Sequence, residues 1–141
     1  LKEKLNIAVH CIDFMKKLKK TPKIATLSYA RPGDYGRSEE INQSLDDAKK
    51  LTQLIEKHTN QKIENSCVLI DQAIKNKCNI LIAPNGIVGN TIFRTLVLLN
   101  SWPSFGAITF GIDDIYIDTS RDQSREGYLR SLELAYKLAK L

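Results

Sequence analysis

The chain has 141 residues, of which 43% are apolar and 26% charged, and its 21 basic against 16 acidic side chains give a formal charge of +5. That balance excludes a disordered or collagen-like chain and fits one globular domain large enough to bury a core. No apolar run nears the roughly 18 residues of a membrane helix, and three scattered cysteines (Cys11, Cys67, Cys78) suggest neither a disulfide framework nor a metal site.

In chain order, Leu5, Ala8, Val9, Ile12, Met15 and Leu18 recur at helical spacing and predict a helix over 3–20, stopped at Thr21-Pro22. Lys16, Lys17, Lys19 and Lys20 gather at its end. No aromatics interleave with them, so nucleic acid is not the expected partner; they suit a solvated helix C-terminus. Residues 23–29 read as a strand. It runs into a loop carrying Arg31, Gly33, Gly36 and Arg37, with Ser38 as the cap of a helix through about His58. Asn60 to Asn65 reads as a polar connection with an edge strand near Ile63, and 67–77 as a helix. Asn79–Ala83 is a short apolar run, the pattern of a strand covered on both faces. Pro84-Asn85-Gly86 turns the chain, and Gly89-Asn90-Thr91 opens a helix through Leu99, with Asn90 suited to cap it. Strands follow at 107–110 and 115–117. A last helix over 124–140 has Tyr128, Leu129, Leu132, Ala135, Tyr136 and Ala139 on one face, and Leu134, Leu138 and Leu141 on another.

Helices alternating with apolar strands point to an α/β domain with a largely parallel sheet and no internal linker. Ligands of such sheets bind beyond the carboxyl ends of the strands. Three loops are placed there, 29–38, 84–90 and 118–125. In the first, glycines let backbone N–H groups close on a phosphate and arginine makes a forked contact. A plain glycine turn with two solvated arginines fits equally. In the third, Asp118 precedes Ser120-Arg121. Arg121 suits a carbonyl or phosphoryl group with Asp118 orienting it, or Asp118 simply pairs with a surface lysine. His10 and His58 have no ligand partner at i+4. No Walker loop, nucleophile triad or S-adenosylmethionine fingerprint is present. With no signal peptide, a reducing cytoplasm is the expected location.

The succession LSYA plus a Gly-rich loop, NILIAPNGIVGN, and IYIDTSR before a terminal helix resembles the phosphotransacetylase and phosphate butyryltransferase family. Within it the chain is most similar to a divergent methanogen branch, the methyltransferase-related (methanogenesis marker) proteins. The resemblance implies an isocitrate/isopropylmalate dehydrogenase-like fold, a three-layer α/β/α domain that forms one side of a two-domain cleft. Residues 1–141 would be the C-terminal domain, with 123–141 packing on the other domain. It implies that Ser120 and Arg121 bind a substrate phosphate or thioester carbonyl, with Gly89 and Asn90 beside them. It also implies that the three loops converge on one sheet edge. Asn85 stands where the family has Asp, Ile87 where it has Asn, and the family's catalytic Asp falls on Gly127, so no catalytic residue is assigned. The implied ligand is phosphorylated or a coenzyme A thioester. The implied partners are methyltransferase subunits or a second copy in a homodimer, with no membrane. The alternative is a non-catalytic accessory subunit of a corrinoid methyl-transfer complex.

Overall fold

The computed structural model describes residues 1–121 and 123–141. The chain is α/β and forms two compact units, Leu1–Asn90 and Thr91–Leu141. The boundary falls inside a helix, which explains why no linker composition marks it.

The first unit opens with α1 (Lys2–Lys17), which ends three residues before the expected stop. Lys19 adopts a left-handed φ of +56°, reversing the chain ahead of Pro22. Next come β1 (Ile24–Leu27), α2 (Glu39–Thr59), β2 (Glu64–Cys67), α3 (Ile70–Lys75) and β3 (Ile80–Ile82). The three strands form a parallel sheet in the order β2-β1-β3. α1 and α2 pack on each other and on the sheet. Between them lies the core, built from Ala8, Ile12, Ile24, Leu51, Ile55, Ile63, Ile80 and Ile82. Burying a side chain such as Ile24 or Ile55 stabilises by about 1.5–3 kcal/mol. All four β1 side chains are buried, including the polar Thr26. Its Oγ1 lies 2.6 Å from Thr52 Oγ1. Thr52 already donates to the Ala48 carbonyl, so Thr26 is the donor of the pair.

β2 is longer than the expected strand near Ile63, and it shortens the expected 67–77 helix to α3. Glu64-Asn65-Ser66-Cys67 has no β-branched residue, so its strand character comes from pairing with β1 rather than from propensity.

The helix expected to open at Gly89 starts earlier, as α4 (Gly86–Arg94), and tightens no further: Thr95–Leu99 continues as a π-turn. In the second unit, β4 (Ala107–Ile108) and β5 (Ile117–Asp118) pair antiparallel as a sheet of their own. Gly106 precedes them with φ +85°, and a Cβ there would lie 2.6 Å from Ile117 Cγ2 and 2.8 Å from the Asp118 carbonyl oxygen. α5 (Arg125–Leu138) is capped by Ser124, whose Oγ accepts the Gly127 N–H. Its packed face is not the aromatic one. Gly127 and Ser131 are buried and Leu134 and Leu138 half-buried, while Tyr128, Leu129, Leu132 and Tyr136 are exposed. Small residues let the backbone around Gly106 and Ser104 approach: Arg130 Nε donates to the Ser104 carbonyl at 3.0 Å. Among the described residues, no helix is long and apolar enough to cross a membrane.

Candidate functional site

The chain leaves β1 through α2 to reach β2 on one side, then returns through α3 to β3 on the other. The order of the strands thus switches sides at β1, and the carboxyl ends of β1 and β3 lie next to each other, the place where parallel sheets hold ligands. A cavity of about 200 Å³ lies there.

Its frame is hydrogen-bonded. The Tyr29 N–H donates to Ser44 Oγ at 3.0 Å, and Asn85 Nδ2 donates to the Tyr29 hydroxyl at 2.6 Å. Lys4 Nζ donates to the Pro84 carbonyl. α2 presents Glu40, Gln43, Ser44 and Asp47 to the cavity, positions i, i+3, i+4 and i+7 on one helix face. Gln43 Nε2 donates to Asp47 Oδ1 at 2.8 Å. Leu27, Ala48 and Leu51 supply the apolar floor.

The expected anion-binding groups are placed differently. In the first loop, Pro32–Asp34 forms a short 3-10 turn. Asp34 accepts the Arg31 N–H at 3.0 Å and pairs with Arg37 at 3.0 Å. Arg37 therefore serves the turn, while the Arg31 side chain is exposed. Gly36 has φ +97° and donates its N–H to Asn42 Oδ1, a conformation that favours glycine. Gly33 has open space around its Cα. Ser38 caps α2 as expected, its Oγ accepting the Ile41 N–H at 3.2 Å. With Glu39 and Glu40 in the first turn, the positive end of α2 is already compensated.

At the second loop, the cap is Asn85 and not Asn90: Asn85 Oδ1 accepts the Val88 N–H at 2.9 Å. Gly89 and Asn90 lie inside α4, and the Gly89 N–H is spent on the Asn85 carbonyl. Gly89 instead allows close packing, since a Cβ there would sit 3.4 Å from Ala83 Cβ.

The third loop leaves the antiparallel β4-β5 pair, so the argument that all three loops share the edge of one parallel sheet fails for it. Asp118 is the exposed last residue of β5, opposite Ala107. The Ser120 carbonyl accepts the Gln123 N–H at 3.0 Å, and the Arg121 side chain is exposed. The first two loops belong to the first unit, and Asp118, Ser120 and Arg121 to the second. Gly127 is buried in α5, and a Cβ there would lie 2.3 Å from Gln123 Cδ. The Gln123 side chain thus fills the space a larger residue would need.

Lys4, Glu40, Ser44 and Asp47 escaped the sequence reading. A signal was present: polar residues at 40, 43, 44 and 47 form a stripe beside the apolar Ile41, Leu45, Ala48 and Leu51. Among the described residues, no group of three or more His, Cys, Asp and Glu is arranged to hold a metal ion.

No family model matches the chain. It is 32% identical over 134 residues to a Methanocaldococcus jannaschii protein named an uncharacterized methyltransferase, covering 94% of this chain and 54% of that protein. It is 34% identical over 122 residues to a Methanosarcina mazei protein named as subunit X of an mtx methyltransferase, covering 86% and 42% respectively. A Methanosarcina barkeri protein of the same name is 38% identical over 101 residues, 71% of this chain and 36% of its own length. The chain thus spans about half, or less, of the length of these relatives.

Proposed function

We propose that this chain is the ligand-recognising domain of a methyltransferase-related protein of methanogens, phosphotransacetylase-like in ancestry but not an acyl-transfer catalyst. The observation that carries it is the cavity at the carboxyl ends of β1 and β3, framed by Tyr29, Ser44, Asn85 and Lys4. The names of the methanogen relatives support the methyltransferase association. The ligand class is phosphorylated or a coenzyme A thioester, with Arg31 and the 33–38 backbone of the first loop as its contacts. Ser120, Arg121 and Asp118 form a further contact surface for the same ligand class.

Acyl transfer is disfavoured at Gly127. Gly127 has no side chain to act as the carboxylate base, and such a base contributes roughly 100- to 10,000-fold to proton transfer. An assay of acetyl phosphate formation from acetyl coenzyme A and phosphate tests this directly; no turnover is expected, and turnover at about 10 s⁻¹ or more, ordinary for a metabolic enzyme, would reject it. Binding is tested separately. Acetyl phosphate at 100 times its Kd raises the unfolding free energy by about 2.7 kcal/mol; no shift with phosphate, acetyl phosphate or coenzyme A removes the phosphorylated ligand from the reading.

A second reading, an accessory subunit of a corrinoid methyl-transfer complex, is favoured by the exposed stripe Tyr128, Leu129, Leu132 and Tyr136 on α5. A homodimer through the same stripe is the competing use. Sedimentation of the chain alone and with a methyltransferase subunit separates them: self-association supports the dimer, and a complex formed only with that subunit supports the accessory role.

A further inference from the structure

The cavity carries both signs of charge within one small volume. Glu40 and Asp47 bring carboxylates from α2, and Lys4 brings an ammonium from α1. None of the three is paired with another of them in an ion pair among the described residues. Lys4 spends one of its three donors on the Pro84 carbonyl. Ser44 is more than nine-tenths buried, and its oxygen accepts the Tyr29 N–H. A hydroxyl also has a proton to give.

These groups constrain a ligand in two ways. A bare anion would meet Lys4 and Ser44 but also two carboxylates. A bare cation would meet the carboxylates but also Lys4. The cavity is small, about 200 Å³, and suits a ligand of a few heavy atoms. We propose that the cavity is a site for a small zwitterion of amino-acid type. Its ammonium faces Asp47 and Glu40, and its carboxylate takes donors from Lys4 and Ser44. Charge-assisted hydrogen bonds at both ends supply the recognition. Tyr29 closes one wall, its hydroxyl held by Asn85.

The inference rests on the reading of this cavity as the ligand site, and it is independent of the phosphorylated ligand proposed for the loops. Titrations of the isotope-labelled chain, followed through the amide resonances of Tyr29, Ser44, Asp47 and Ala83, test it. The probes are glycine, alanine, serine and valine, with propionate and ethylamine as the two halves of alanine, and inorganic phosphate. At least one amino acid is expected to shift these resonances saturably, and alanine to bind at least tenfold more tightly than either half. D47N and K4Q should each weaken the best amino acid tenfold or more while the rest of the spectrum stays folded. K49Q, at an exposed lysine on α2, should change nothing. No saturable shift with any of the four, or propionate binding as well as alanine, overturns the proposal. Phosphate shifting residues 31–38 while the amino acids do nothing would overturn it and leave the phosphorylated-ligand reading standing.

Discussion

At the scale of single residues, the buried polar groups are the informative ones. Thr26 is buried in the central strand β1, with its hydroxyl bonded to Thr52. Thr52→Val removes the acceptor and strands a buried donor, which costs about 1–3 kcal/mol. Replacing both threonines by valine leaves no orphan, so the double variant should be less destabilised than the two single losses added together. Urea unfolding of the four proteins in the cycle measures this; strict additivity would mean the hydroxyls do not depend on each other. A second polar group works at the opposite, amino end of the sheet. Glu64 accepts from Ser66 at 2.6 Å, from Asn76 at 3.0 Å and from the Cys78 thiol at 3.5 Å. The Ser66 bond, ahead of the others, holds its carboxyl below the usual value. Because the folded value is depressed, the stabilisation is present above the unfolded carboxylate range near pH 4.3 and is lost as pH falls through the folded value. Glu64 lies near the surface, so the effect should stay below about 1 kcal/mol, and E64Q should flatten the acid limb of the stability curve by that amount. Burial first, and then Glu64, push the Cys78 thiol up. E64Q should therefore speed alkylation of Cys78 at pH 8 by about two- to fivefold, read by mass spectrometry, because more thiolate forms; an unchanged rate would show that burial alone controls it.

At the scale of elements, what could be read from the sequence follows from how local the cause is. α2 was legible because Ser38 and the Ile41–Leu45–Ala48–Leu51–Ile55 stripe are signals carried by the helix itself. β2 was not, because Glu64–Cys67 is a strand only by virtue of its neighbour β1. The cap of α4 was misassigned for a similar reason: both Asn85 and Asn90 suit the role, and only the path of the chain out of β3 selects Asn85. The third loop leaves a two-residue strand, and strands that short carry too little pattern to tell a parallel from an antiparallel partner. In α5 the largest apolar side chains point out, and the packed face uses Gly127 and Ser131, which no hydrophobicity pattern would choose. Gly127 gives a sharp expectation. Glycine to alanine inside a helix ordinarily stabilises by about 1 kcal/mol. Here the new Cβ meets Gln123 Cγ and Cδ at 2.6 and 2.3 Å, so the end of that flexible side chain must move aside and G127A should gain less than that. In a Q123A background the full gain of about 1 kcal/mol should return. Denaturant midpoints of the two single variants and the double decide it, and an equal gain in both backgrounds would show that Gln123 moves at no cost.

At the scale of the molecule, the two units differ in what holds them. Every buried apolar side chain described lies between Ala8 and Ile82, in the first unit. The buried residues described in the second unit are Ser104, Gly127 and Ser131, while Phe93, Leu99, Trp102, Phe105 and Tyr116 are exposed there. Hydrophobic burial is the dominant favourable term in folding, so the cooperative centre of this chain is the β2-β1-β3 sheet with α1 and α2. The short antiparallel pair and α5 depend on backbone hydrogen bonds and on a few small-residue contacts, the kind of structure that opens locally at low cost. Native-state hydrogen exchange should therefore separate the units. Amides of Ile24–Leu27 and of Leu45–Ile55 should exchange only through global unfolding, with free energies that fall along with stability in denaturant. Amides of Ala107–Ile108, Ile117–Asp118 and Arg125–Leu138 should exchange through smaller openings that depend weakly on denaturant. A ligand in the β1/β3 cavity should raise protection in the first group, since it binds the folded first unit alone. If α5 proved as protected as β1 in the isolated chain, the second unit would have to draw its stability from something other than buried apolar side chains, and the ranking of the two units would fall.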